Sequence, residues 1–256
     1  MMLFQVAALF VRSFLERTWV DAGMPVVDAN YLCAIVGFVV LGGLMCPVLH
    51  DGLPHLRRWF SAPPGWWRIL VAAIVLGILL RLVFWFITYA AIAAGWQRHG
   101  FAGVVFIVIA CPPALTSGLY LLVLVLLTPF VEETINRGFI LESLSRYGPA
   151  TAVIVSSILF AVLHRLGTIP VALLFGVVVA LQARHWKLLW GPVVTHATFN
   201  LAAFVDRLCL ALPWSMPPGD PAPVRAALFA AAALVSVAAA LGLATRRRNG
   251  GTAPAP

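Results

Sequence analysis

The sequence predicts an all-α fold, a polytopic integral-membrane bundle of about eight transmembrane helices, and three observations carry that prediction. First, 62% of the 256 residues are hydrophobic and only 10% are charged, at a mean hydropathy of +0.99, whereas soluble domains carry roughly 25% charged residues. A water-soluble single domain is excluded. So is intrinsic disorder, which needs low hydrophobicity and high net charge. Second, the apolar residues fall in runs of about 20, the length of helix that crosses a bilayer. Third, the excess of 17 Lys+Arg over 9 Asp+Glu, a formal charge of +8, collects between or after those runs. The clusters are Arg57, Arg58 and Arg68, then Arg184 and Lys187, then Arg246, Arg247 and Arg248, as the positive-inside rule expects of cytoplasmic loops. The basic balance therefore needs no nucleic-acid partner.

The elements follow in order. Met1 to Val20 is apolar at first but carries Arg12, Glu16 and Arg17 and lacks a small-residue cleavage site, so it reads as a retained, crossing helix rather than a signal peptide. Tyr31 to His50 is a clear span, followed by a basic, proline-containing loop from Asp51 to Arg68. Ile69 to Trp96 is the next span and contains Arg81. A charge there costs roughly 2.5–3.5 kcal/mol at the bilayer centre unless it pairs or faces the bundle interior, or snorkels to an interface. Phe101 to Ile109 is too short to cross, and Cys111-Pro112-Pro113 breaks a helix. It is either re-entrant or the first part of a kinked span.

From Ala114 an apolar helix runs into VEETINRGFIL, acquiring charged side chains inside a membrane segment before turning apolar again. After a loop at Arg146 to Pro149 come spans at Thr151–His164, Ile169–Ala183 and Leu188–Leu212, a Pro-rich linker from Pro213 to Pro223, and a last Ala-rich span, Val224 to Thr245. By domain, 1–100 holds the N-terminal helices, 101–212 the core that carries chemistry, 213–245 the linker and last helix, and 246–256 a disordered cytoplasmic tail. Cys33, Cys46, Cys111 and Cys209 show no C-x-x-C spacing and read as small buried hydrophobes. His50, His55, His99 and His185 read as interfacial. Trp59, Trp66, Trp67, Trp96, Trp186, Trp190 and Trp214 read as an aromatic belt, and Asp206 and Arg207 as markers of the water interface.

Ionisable residues inside membrane segments are costly, so a cluster of them is a functional-site hypothesis. Glu132, Glu133 and Arg137 form one. On a helix Glu133 and Arg137 stand i, i+4 with the acid first, and Glu132 and Asn136 share the adjacent face. Arg137 can neutralise one carboxylate while the other stays free to exchange protons. Glu133 is then the orienting residue and Glu132 the base. His164 closes a span one turn after Phe160, and His196 and Asn200 lie i, i+4 inside another, projecting from one face. An acid, a histidine from a second helix and a histidine with an asparagine from a third are the parts that amide hydrolysis needs: a base for water and donors for an oxyanion.

E-E-x-x-x-R at Glu132, Glu133 and Arg137, F-x-x-x-H at Phe160 and His164, and H-x-x-x-N at His196 and Asn200 resemble, in order, the three motifs of the CPBP family. These are intramembrane peptidases related to type II CAAX prenyl endopeptidases, also called Abi proteins. The likeness covers about Thr128 to Phe204. It implies a helical fold with a conical cavity open to the cytosol and cleavage near the C-terminus of a membrane-associated substrate. By position it implies that Glu132 activates water with His164, that His196 and Asn200 form the oxyanion hole, and that Glu133 and Arg137, beside Phe160, support them.

One Glu and two His would make an acceptable zinc set, but there is no H-E-x-x-H. The expectation is a glutamate-dependent reaction with no cofactor, a zinc-dependent version being the alternative. The expected partners are the lipid bilayer and a membrane-anchored protein or peptide substrate. The competing readings are a non-catalytic binding or bacteriocin-immunity protein, and a transporter using Glu132 and Glu133, for which no inverted repeat is visible. Lys187 as the only lysine hints at GC-rich coding, hence a multi-pass protein of a bacterial cytoplasmic membrane. No motif selects the substrate.

Overall fold

The computed structural model describes residues 2–93, 113–164 and 168–207, which form helices joined by short turns, with no strand among them. In chain order these are α1 (Met2–Asp21), α2 (Val26–Trp59), α3 (Trp66–Ala93), α4 (Ala114–Tyr147), α5 (Pro149–Ala161), α6 (Ile169–Trp186) and α7 (Trp190–Arg207). Four are long and apolar enough to cross a membrane: α2 through Val26–Met45, α3 through Trp66–Phe84, α4, and α6. They make this a multi-pass membrane protein. α5 has 13 residues, about 20 Å at 1.5 Å per residue, and is too short for the roughly 30 Å of hydrocarbon. The short run Phe101–Ile109, the linker Pro213–Pro223, the span Val224–Thr245 and the tail 246–256 lie outside the described residues. So do Cys111, Cys209, His99, Trp96, Trp214 and the side chains of Cys46, Asp206 and Arg207.

Several sequence expectations change. The basic loop expected from Asp51 is helix as far as Trp59, with Pro47 and Pro54 inside it, and only 60–65 remain as connection. A helical proline removes one backbone bond. Arg57 and Arg58 fall in the last turn, where cations complement the helix dipole. α5 stops at Ala161, so His164 sits in the turn beyond it rather than closing the helix. Trp59 is 5% exposed. Its ring fills the notch left by Gly138, where a Cβ would lie 2.6 Å from the indole.

Close helix approach rests on small residues, as it does where lipid gives no hydrophobic drive to associate. A Cβ on Gly77 of α3 would lie 2.6 Å from the Thr195 carbonyl of α7, and one on Gly176 of α6 would lie 3.2 Å from Ser157 of α5. Buried hydrogen bonds tie the same helices: Gln182 Nε2 donates to Thr195 Oγ1 (2.8 Å), which donates to the Ala73 carbonyl (3.2 Å). Leu76, Leu80, Phe160, Phe175, Val178 and Val179 form the apolar core around which α3, α5, α6 and α7 meet. Val71, Val75, Leu122 and Leu126 are exposed, which fits faces turned to lipid. Arg81 does not stretch away from the bundle. Its guanidinium lies 4.6 Å from the Phe84 ring and 5.5 Å from the Phe199 ring of α7.

Candidate active site

α4 carries the cluster, and it is not a uniform helix. Leu121–Leu127 and Thr134–Ile140 are wound as π-helix, with α-helical Thr128–Glu133 between them. Such widened turns recur at functional sites. The second one buries Thr134, Ile135, Asn136, Arg137 and Gly138 and holds Arg137 within reach of Glu133. Among the described residues, these helix centres and the helix ends packed against them supply every polar group of the site.

Glu133 is fully buried. One carboxylate oxygen lies 2.8 Å from His196 Nδ1. The other lies 3.1 Å from Arg137 Nε, close enough for an ion pair but out of line for a hydrogen bond. Arg137 donates from its terminal nitrogen to the Gly176 carbonyl at 3.3 Å, and its guanidinium stands 4.3 Å from the Phe160 ring. A buried ion pair persists only when its remaining valences meet dipoles or rings. Here the main chain of α6 and a phenyl face supply part of them, while Arg137 Nη1 is buried with no hydrogen-bond partner among the described residues.

Phe160, 1% exposed, is the hub. Its ring centre is 4.6 Å from that of His164, 6.2 Å from His196 and 5.9 Å from Phe175. His164 Nδ1 lies 2.9 Å from the Phe160 carbonyl. A carbonyl only accepts, so Nδ1 carries the proton and Nε2 of the neutral ring offers a lone pair. The same reasoning makes His196 Nδ1 the donor to the Glu133 carboxylate, leaving its Nε2 for chemistry.

Glu132 differs from its neighbour. It is half-buried, and its Oε2 is buried with no hydrogen-bond partner among the described residues. Asn136, expected on the same face, donates to the Glu132 backbone carbonyl at 2.8 Å rather than to the carboxylate. Asn200 is likewise engaged: its Nδ2 donates to the Leu124 carbonyl at 2.7 Å, and its own carbonyl accepts from Tyr120 at 3.5 Å.

The structure thus gathers Glu133, Arg137, Phe160, His164 and His196 around one ring. Glu132 stands beside Glu133 in the chain, and Asn200 is turned towards α4. Sequence reasoning missed Phe175, whose ring is 4.9 Å from His196, the Gly176 carbonyl, and Pro129. Phe175 looks like any core residue. Pro129, a proline in the middle of a helical run, was a visible signal. No three His, Cys, Asp or Glu side chains converge as a metal-ligand set among the described residues, and His196 Nδ1 and a Glu133 oxygen face each other rather than a shared point.

Residues 114–202 match the family model described as type II CAAX prenyl endopeptidase Rce1-like. No curated protein and no solved structure matches the chain. The matched stretch contains the charged turn of α4, all of α5 and α6, and His196 and Asn200 of α7, so it spans every residue of the cluster. Residues 114–202 are thus similar to the type II CAAX prenyl endopeptidase Rce1-like family, a protease family.

Proposed function

We propose that this protein is an intramembrane endopeptidase that cuts a peptide bond near the C-terminus of a membrane-associated protein or peptide, with water activated by Glu132 and without a metal. The observation that carries this reading is the contrast of two adjacent carboxylates. Glu133 is held by Arg137 and orients His196, while Glu132 keeps a buried oxygen with no hydrogen-bond partner among the described residues. A general base has to be free to take a proton, and an orienting residue has to be occupied.

The chemistry follows from those valences. Water lies between Glu132 and the lone pair of His164 Nε2, Glu132 takes its proton, and the oxygen attacks the scissile carbonyl carbon. His196, protonated on both nitrogens, presents Nε2–H to the oxyanion while Glu133 balances the imidazolium through Nδ1, and the second N–H of Asn200 adds a donor. Collapse expels the amine as Glu132 returns the proton to it, so the bonds of one water and one amide are exchanged for an acid and an amine. The helical surroundings exclude bulk solvent, which strengthens each of these interactions.

The test uses purified protein in liposomes with a panel of lipid-anchored peptides, prenylated ones included, and mass spectrometry of the products. Glu132→Gln keeps shape and hydrogen bonding but removes the base, so it is expected to fold normally and lose cleavage by about 100-fold or more. Unchanged product formation would falsify the assignment of Glu132. Element analysis of the active protein addresses the metal separately, since activity that tracked stoichiometric zinc would overturn the metal-free part.

A further inference from the structure

The π register leaves the Leu124 carbonyl without its expected main-chain donor, and the reason lies in the sequence. In the π-wound stretch the Thr128 N–H reaches five residues back, to the Val123 carbonyl. The next donor in that register, for Leu124, would be residue 129, and residue 129 is proline, which has no N–H. A carbonyl left without a donor at membrane depth is costly, because no water replaces the bond. Asn200 supplies it from another helix at 2.7 Å. Pro129 itself is fully buried, and Tyr120, one turn before Leu124 on the same helix, donates to the Asn200 main-chain carbonyl at 3.5 Å.

We infer that Pro129 is a positioning residue for Asn200: by withholding an N–H from Leu124 it creates the acceptor that fixes the asparagine amide. An amide nitrogen carries two protons. With one fixed on Leu124, the direction of the other is set before any substrate arrives, which is what an oxyanion donor needs to work without reorganising. The consequence for catalysis rests on the peptidase reading above; the Pro129–Leu124–Asn200 arrangement does not. Pro129→Ala returns an N–H to position 129. Whether the helix then keeps its wide turn or reverts to α, Leu124 gains a main-chain donor, from residue 129 or from Thr128. Asn200 then loses its sole claim on that carbonyl.

The experiment is NMR on protein labelled with 15N at asparagine, in micelles. The chain's asparagines are Asn30, Asn136, Asn200 and Asn249, and the Asn200 side-chain pair is identified by its disappearance in Asn200→Asp. In the unmodified chain the Asn200 amide proton held by Leu124 is expected downfield of the shift it has in a solvated asparagine, and Pro129→Ala should return it towards that shift. A pair already at the shifts of a solvated asparagine in the unmodified chain, or one that Pro129→Ala leaves unaltered, overturns the inference. Stability gives a second reading: Asn200→Ala should lower the thermal midpoint clearly in the unmodified helix and far less in the Pro129→Ala helix, and equal losses would also overturn it. In the cleavage assay Pro129→Ala should lower kcat by about tenfold with KM held within about twofold. A kcat unchanged in a helix whose Asn200 proton has returned to the solvated shift overturns the catalytic role of the arrangement. If the unmodified protein cuts none of the peptides, it is the peptidase reading that fails, and the NMR and stability results decide the inference alone.

Discussion

Glu133 and Glu142 stand on the same helix and face the same kinds of group, an arginine and a ring N–H, yet they occupy opposite environments. Glu133 meets Arg137 Nε at 3.1 Å and His196 Nδ1 at 2.8 Å, with both side chains of the ion pair at 0% exposure. Glu142 meets Arg58 at 2.7 Å and Trp59 Nε1 at 3.0 Å, with Arg58 61% and Glu142 41% exposed. At the rim this donor set fastens the end of α2 to α4 in water. In the interior it is poor cement, because desolvating two charges offsets most of their attraction. A chain that keeps the buried version keeps it for something other than stability, and the proton geometry it imposes on His196 is the candidate.

The sharpest way to break that contrast is Glu133→Ala. It leaves the Arg137 charge uncompensated where no water reaches it, and the expected loss is about 3–5 kcal/mol, seen as a large fall in the thermal midpoint in detergent together with lost cleavage. The double variant Glu133→Leu with Arg137→Met sharpens the point. Replacing both charges by apolar groups of similar volume should restore most of the stability, while cleavage stays lost because nothing orients His196. A double variant cutting at the normal rate would remove Glu133 from the mechanism and leave the pair purely structural.

How much of this could be read from the sequence depends on whether a feature is local. The helical membrane class, the charged turn of α4 and the i, i+4 spacing of Glu133 and Arg137 are short-range and were legible. The partners across helices were not. That His196 turns its Nδ1 to Glu133, and that Asn200 turns to Leu124, follow from the packing of α7 on α4, which no spacing encodes. The end of α2 was misread because Pro47 and Pro54 signal a break locally, whereas the helix is carried through by contacts made at its far end: Trp59 in the Gly138 notch and the Leu189 N–H on the Trp59 carbonyl at 2.9 Å.

That notch gives the intermediate effect. In Gly138→Ala the new methyl carbon meets the Trp59 ring at 2.6 Å, and overpacking of this kind costs about 1–3 kcal/mol. Displacing the indole also strains its bond to Glu142, so the damage reaches the exposed network from the buried side. Thermal unfolding of Gly138→Ala with and without Trp59→Phe isolates the clash. The smaller ring makes room, so the glycine substitution should cost clearly less in the Trp59→Phe background. Strictly additive losses would show that Trp59 is not what the glycine accommodates.

The smallest effect belongs to Glu142→Gln. The amide oxygen still accepts the Trp59 N–H, so the change removes only the charge facing Arg58 and, at 3.6 Å, His55. Exposed pairs of this kind contribute about 1 kcal/mol or less, and the attraction is screened as the Debye length shrinks from roughly 10 Å at 0.1 M salt to 3 Å at 1 M. Unfolding midpoints of Glu142→Gln and the unmodified chain should therefore differ slightly at low salt and converge as salt rises. The corresponding gap for Glu133→Ala should persist across the same series, because ions do not enter the site where that charge is missing. A salt-independent loss at Glu142, as large as the one at Glu133, would mean that the rim network is shut away from water too, and that burial is not what separates the two carboxylates.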